Sequence, residues 1–228
     1  MPERICQTIG GLFCCEKSIT RQSIWNMFQG VCLNDMRQKP YTVNLPPTPI
    51  EKIIEFHYGL YLCYMNLSKD GRTLGKTCFD DGYTQVYDRS KQQMVYIEVE
   101  KGTIIIEADL LSGNLGRLRF TQCHEFAHWI APPEILAGTQ RQPALTDGTP
   151  DPEEKWIEWQ ANTLGRNLLL PLATLKPYFY HIIQNYHLDG QSIITKIADK
   201  YEASKQATAI QLYKHNLLDK EACSPYLT

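Results

Sequence analysis

The segment Cys123-His124-Glu125-Phe126-Ala127-His128-Trp129 places two imidazoles four residues apart, with a carboxylate directly after the first. On an α-helix, residues four apart lie on one face, one turn up. His124 and His128 can therefore aim at one ion, and imidazole suits zinc and its first-row neighbours. Glu125, one step round from His124, can reach a water beside that ion but is badly placed to ligate alongside both histidines. These are the parts of metal-assisted hydrolysis, with Glu125 as general acid/base and a peptide bond as the expected target. Six histidines in 228 residues make a chance match uncommon. Two histidines and a glutamate on an ordinary half-buried helix would nevertheless read the same way.

A catalytic zinc needs three protein ligands and one open position. A third histidine six residues after His128 would need a glycine three residues after it. Those positions hold Glu134 and Ala131, with Pro132-Pro133 between, which makes Glu134 a poor ligand. Glu158 is the better candidate. Asp151-Pro152-Glu153-Glu154 reads as a helix start, with an N-cap, a first-turn proline and acidic residues at the positive end of the dipole. That helix should run from Pro152 to about Leu170, stopped by Pro171. Ala161 and Gly165 on the Glu158 face are small enough to admit a second helix. Asn162, one turn after Glu158, is placed to bond the outer nitrogen of a ligating histidine. The oxyanion of a peptidase would need a further donor besides the metal. Arg119, Tyr178, Tyr180, His181 and His187 are candidates among which the sequence does not choose. Cys123 is expected to be a small buried hydrophobe.

The elements that must position these residues follow from periodicity and turn signals. The motif helix can begin near Ser112 or Asn114 and must stop before Pro132. Upstream, Pro49 to Tyr61 reads as a helix with an apolar stripe, Thr48 as its N-cap. Tyr61–Asn66, Tyr83–Asp88, Met94–Val99 and Thr103–Glu107 read as short strands, separated at Asp70-Gly71, Asp81-Gly82 and Lys101-Gly102. Beyond about residue 112 the chain turns helical, ending in Ser192–Tyr201 and Ser204–Leu217. That pair has the outline of a helix-turn-helix, but Lys205 and Lys214 are thin support for DNA contact, so core packing or docking of a protein is expected. The layout is α+β. It divides into an arm at 1–45, with a helix over Ile19–Leu33, a core at 46–175 and a C-terminal helical subdomain at 176–228.

The composition is that of a globular protein, 43% apolar and 21% charged. A net charge of −2, with both signs mixed, offers no field for steering to nucleic acid or an anionic membrane. No apolar run reaches membrane-helix length and no secretory signal is evident, so a cytoplasmic protein is expected. The eight cysteines form no repeated Cys-x-x-Cys unit and read as reduced thiols.

His-Glu-Phe-Ala-His-Trp preceded by Arg-Phe-Thr, then Glu-Trp-Gln-Ala-Asn-Thr-Leu-Gly-Arg-Asn-Leu-Leu-Leu-Pro, resembles the ImmA/IrrE metallopeptidase family, the domain of unknown function 955 group. The resemblance covers about residues 48–218, with its specific motifs in 119–171. It implies one zinc ion on His124, His128 and Glu158, with Glu125 as general acid/base. It also implies a zincin-like fold, a small antiparallel sheet packed with an active-site helix pair and followed by C-terminal helices. Members often sit in mobile elements and cleave a helix-turn-helix repressor, so a protein substrate of that kind is implied. The alternative is a zinc-containing regulatory or DNA-binding protein on the same scaffold, with little catalysis. The sequence departs from the family pattern at residues 1–45, which have no counterpart, and at Gly165-Arg166, where members often carry small apolar residues.

Overall fold

The computed structural model describes residues 47–131 and 152–227, with side chains from 155 in the second stretch. The expected arm and its helix, the cysteines at 6, 14, 15 and 32, Glu134 and the Asp151 cap lie outside the described residues.

The described residues open with a single helical turn, α1 (Ile50–Lys52), that passes directly into a π turn (Ile53–His57). Ile50, Ile53 and Ile54 are buried there, whereas Phe56 points to solvent. The expected helix to Tyr61 is thus cut short. The Tyr58 amide bonds back to the Ile53 carbonyl, and Gly59 takes a positive φ of 66° that redirects the chain into a strand. Thr48 does not cap this helix; its hydroxyl donates instead to the Leu168 carbonyl at 2.8 Å.

Strands β1 (Tyr61–Met65), β2 (Gly75–Thr77) and β5 (Thr103–Glu107) form one sheet in the order β1-β5-β2. β3 (Gly82–Asp88) and β4 (Gln93–Val99) form a separate antiparallel hairpin. The three-stranded sheet is mixed, not antiparallel as expected: β1 runs parallel to β5, Tyr61 opposite Thr103, and only β2 is antiparallel to it. The reason lies in β5. All five of its residues are buried, because it is the central strand and is covered on both faces. Ile104 and Ile106 face the main core, while Ile105 joins Leu67, Cys78, Val86 and Val99 under the hairpin.

The helices follow as α2 (Leu115–Ile130), α3 (Pro152–Leu169), α4 (Leu172–Asn185), α5 (Gly190–Tyr201), α6 (Lys205–Lys214) and α7 (Lys220–Cys223). Asn114 caps α2, its side chain accepting from the Arg117 amide at 3.1 Å, and α2 ends at Ile130 before the prolines. The architecture is α+β and zincin-like, a small sheet beside a helical majority. One core runs from Ile50 and Ile54 through Ile106, Phe126, Leu168 and Leu175 to Ile194, Leu212 and Cys223. The C-terminal pair α5 and α6 contributes Ile193, Ile194, Ile197, Ala207, Ala209 and Leu212 to it. A Cβ on Gly116 would lie 2.4 Å from the Ser204 backbone nitrogen, so the start of α2 rests directly on the turn between α5 and α6. Cys63, Cys78 and Cys223 are free thiols, and among the described residues no helix is long and apolar enough to cross a membrane.

Candidate metal centre

α2 and α3 pack against each other, and α3 lacks a side chain where it meets the backbone of His124. A Cβ on Gly165 would sit 3.0 Å from the His124 nitrogen and 3.2 Å from the Cys123 carbonyl carbon. This approach carries Glu158, two turns earlier on α3, to the two histidines of α2. His124 Nε2 is 3.3 Å from Glu158 Oε2, His128 Nε2 is 3.4 Å from Oε1, and the two Nε2 atoms are 3.1 Å apart. The imidazoles are nearly perpendicular, at 82°. Tetrahedral coordination at about 2.0–2.1 Å places neighbouring donors about 3.3 Å apart, so the donor set fits a zinc ion in both chemistry and spacing. Among the described residues this is the one group of three or more His, Cys, Asp or Glu side chains so converged, all its ligand atoms within 4.8 Å of one another.

Electrostatics at the centre follow from burial. Burial depresses the His124 pKa, but the Glu158 hydrogen bond, the Glu125 charge and Asn162 outweigh it, and the net shift is upward. Glu158 is held well below the usual carboxylate range by hydrogen bonds from His124 and His128, against partial desolvation. Its side chain stays 55% exposed towards the cleft, so the centre is accessible from one side. Asn162 sits beside His124, yet the buried Nδ1 of that ring has no hydrogen bond of ordinary geometry among the described residues.

Glu125 turns to the sheet. It is 7% exposed, and burial pushes its carboxyl pKa up despite the pull of His124, His128 and Thr77. The Thr77 hydroxyl on β2 lies 2.9 Å from both Oε2 and the backbone oxygen of Glu125. Gly75 makes room for it: a Cβ there would lie 2.5 Å from Cγ and Oε1 of Glu125. The sequence offered no sign of β2, because Gly-Lys-Thr lacks strand patterning, and so neither Gly75 nor Thr77 was anticipated.

These residues line a cleft of about 1400 Å³ that also takes in Arg72, Arg117, Asn162, Arg166 and the start of α6 at Ser204 and Gln206. The structure does not bring the five candidate oxyanion donors to it. Arg119 donates to the Thr48 carbonyl at 2.6 Å and pairs with Glu202 at 3.5 Å, tying α2 to the chain before α1 and to the α5–α6 turn. Tyr178, Tyr180 and His181 lie on α4 and His187 in the connection after it, none lining the cleft. Cys123 is fully buried.

The model of the family Peptidase_M78, described as the IrrE N-terminal-like domain, matches residues 83–213 and so spans α2, α3 and the whole donor set. No curated protein matches the chain. Since the matched stretch is more than half of the 228 residues, the chain belongs to the Peptidase_M78 family, a family of metallopeptidases.

Proposed function

We propose that this protein is a zinc-dependent metallo-endopeptidase in which His124, His128 and Glu158 hold the ion and Glu125 carries the proton. The observation that supports it is the separation of the three donor groups, 3.1 to 3.4 Å, next to a buried carboxylate that is not one of them. A bound zinc ion would supply an acidified water and a Lewis acid for the scissile carbonyl.

The residues of the chain do the rest. Thr77 holds one oxygen of Glu125, leaving the other free to take a proton and deliver it to the leaving amine. Burial raises the Glu125 pKa, which suits a group that must both accept and release a proton near neutral pH. Glu158 is about half exposed, and the cleft that it lines has room for an extended peptide. The proposed substrate is a protein, in keeping with the family, and a helix-turn-helix repressor in a cytoplasmic setting is the reading that the ImmA/IrrE resemblance favours.

The test combines metal analysis with Glu125→Gln. The variant is expected to bind zinc as the parent does, while cleavage falls by about 10²–10⁴-fold. Candidate helix-turn-helix repressors encoded beside this gene are the substrates to try first. Cleavage that survives in Glu125→Gln would remove the proton-carrier role. A parent protein that binds no zinc would remove the metal centre itself.

A further inference from the structure

Along α3 the cleft face carries Glu158, Asn162 and Arg166, four residues apart each time. Arg166 is 8% exposed yet lines the cleft. Among the described residues no carboxylate lies within ion-pair distance of it. A buried guanidinium normally has an anion or several acceptors, because an unpaired buried charge is costly. Among the described residues the only carboxylates lining the cleft are Glu125 and Glu158, which are engaged with Thr77 and with the two histidines. Glu202, near the α6 end of the cleft, is paired with Arg119. Among the described residues Arg72, Arg117 and Lys155 also line the cleft, with Arg72 paired to Asp70 at 3.3 Å. Burial lowers the Arg166 pKa, but an arginine stays charged at neutral pH.

We propose that Arg166 is the receptor for a carboxylate on the substrate chain, so that the cleft selects peptides with an Asp or Glu side chain near the scissile bond. The assignment rests on the peptidase reading of the cleft. The eight residues from Glu158 to Arg166 span about 12 Å of helix axis. An extended peptide advances about 3.3 Å per residue, so the acidic residue falls about three to four positions from the cleaved bond. The planar fork of arginine takes a carboxylate through two parallel hydrogen bonds, which a substrate amide does not match.

The experiment passes a randomised dodecapeptide library over immobilised full-length, metal-free protein. The peptides are acetylated and amidated, so that side chains supply every carboxylate. The parent is expected to retain Asp and Glu peptides about tenfold over their Asn and Gln counterparts. Arg166→Met brings the preference below about twofold, and Arg166→Lys keeps part of it. Arg72→Met, which removes the same charge from an exposed residue of the cleft, leaves it intact. Equal retention of acid and amide by the parent overturns the assignment without any variant. So does a preference that survives Arg166→Met, or one lost equally in Arg72→Met. A second library with free C-termini tests the chain end as the carboxylate source, and retention confined to that library overturns the side-chain assignment. Zinc-loaded protein on the first library reports separately on the peptidase reading. Acid preference without cleavage sinks that reading and keeps the Arg166 site; cleavage with no acidic residue enriched near the cut sinks the Arg166 site alone.

Discussion

A Cβ added to Gly165 would meet the backbone of His124 at 3.0 Å, closer than nine in ten real Cβ contacts. The glycine on α3 therefore sets how near Glu158 comes to the two histidines of α2. Because the opposing atoms are backbone, the clash has no flexible side chain to absorb it.

Gly165→Val should push the two helices apart. We expect a stability loss of about 2–3 kcal/mol, in the range of overpacked cores, together with weaker zinc binding. Urea unfolding and a competition titration against a zinc chelator measure the two effects. An unchanged zinc affinity would show that the helix spacing does not govern the centre.

Gly75→Ala should act on Glu125 alone. The added methyl would sit 2.5 Å from the Glu125 side chain, so that carboxylate must leave its place beside Thr77. The ligands His124, His128 and Glu158 are untouched. Zinc content should stay at the parent level while cleavage falls by about tenfold or more, given the 10²–10⁴-fold worth of a positioned acid/base. Zinc content is read by metal analysis. Equal loss of zinc and of activity would instead point to general disruption of β2.

Arg119→Ala should weaken the fold and spare the chemistry. Its guanidinium serves the Thr48 carbonyl and Glu202, and it does not line the cleft. Loss of these charged hydrogen bonds should cost about 1–3 kcal/mol. Folded protein should keep its zinc and its turnover. A selective fall in turnover, with KM unchanged and stability intact, would instead return Arg119 to the list of oxyanion donors.

Tyr201 sets an alkaline limit on stability. Its buried hydroxyl donates to Thr174 Oγ1 at 3.0 Å, and burial pushes its pKa up to about 12. The unfolded tyrosine titrates near pH 10. Above that pH the unfolded state gives up the proton and the folded state keeps it, so stability falls as pH rises from about 10 to 12. The slope approaches about 1.4 kcal/mol per pH unit. Denaturant unfolding at several pH values should show a shallower decline in Tyr201→Phe. Identical slopes would remove this residue as the cause.

What the sequence determined by itself was local. The spacing of His124 and His128, the Asn114 cap and Pro132 place both imidazoles on one face of one helix, because a helix repeats every 3.6 residues wherever it sits. Four strands were legible from patterning and turn residues, nearly to the residue in β3, β4 and β5. Glu158 could be named from its helix start and small neighbours, but its approach to the histidines depends on helix packing across thirty positions of sequence. The rest was decided by contacts that leave no periodic trace. The parallel pairing of β1 with β5 follows from covering β5 on both faces. The three-residue strand β2 exists because it pairs with β5, and only that pairing brings Gly75 and Thr77 to Glu125. Arg166 reads in sequence as one more charge on a helix, and only burial beside the cleft sets it apart. Periodicity records which face a residue takes; what meets that face depends on the packing of distant segments, which short-range patterns do not encode.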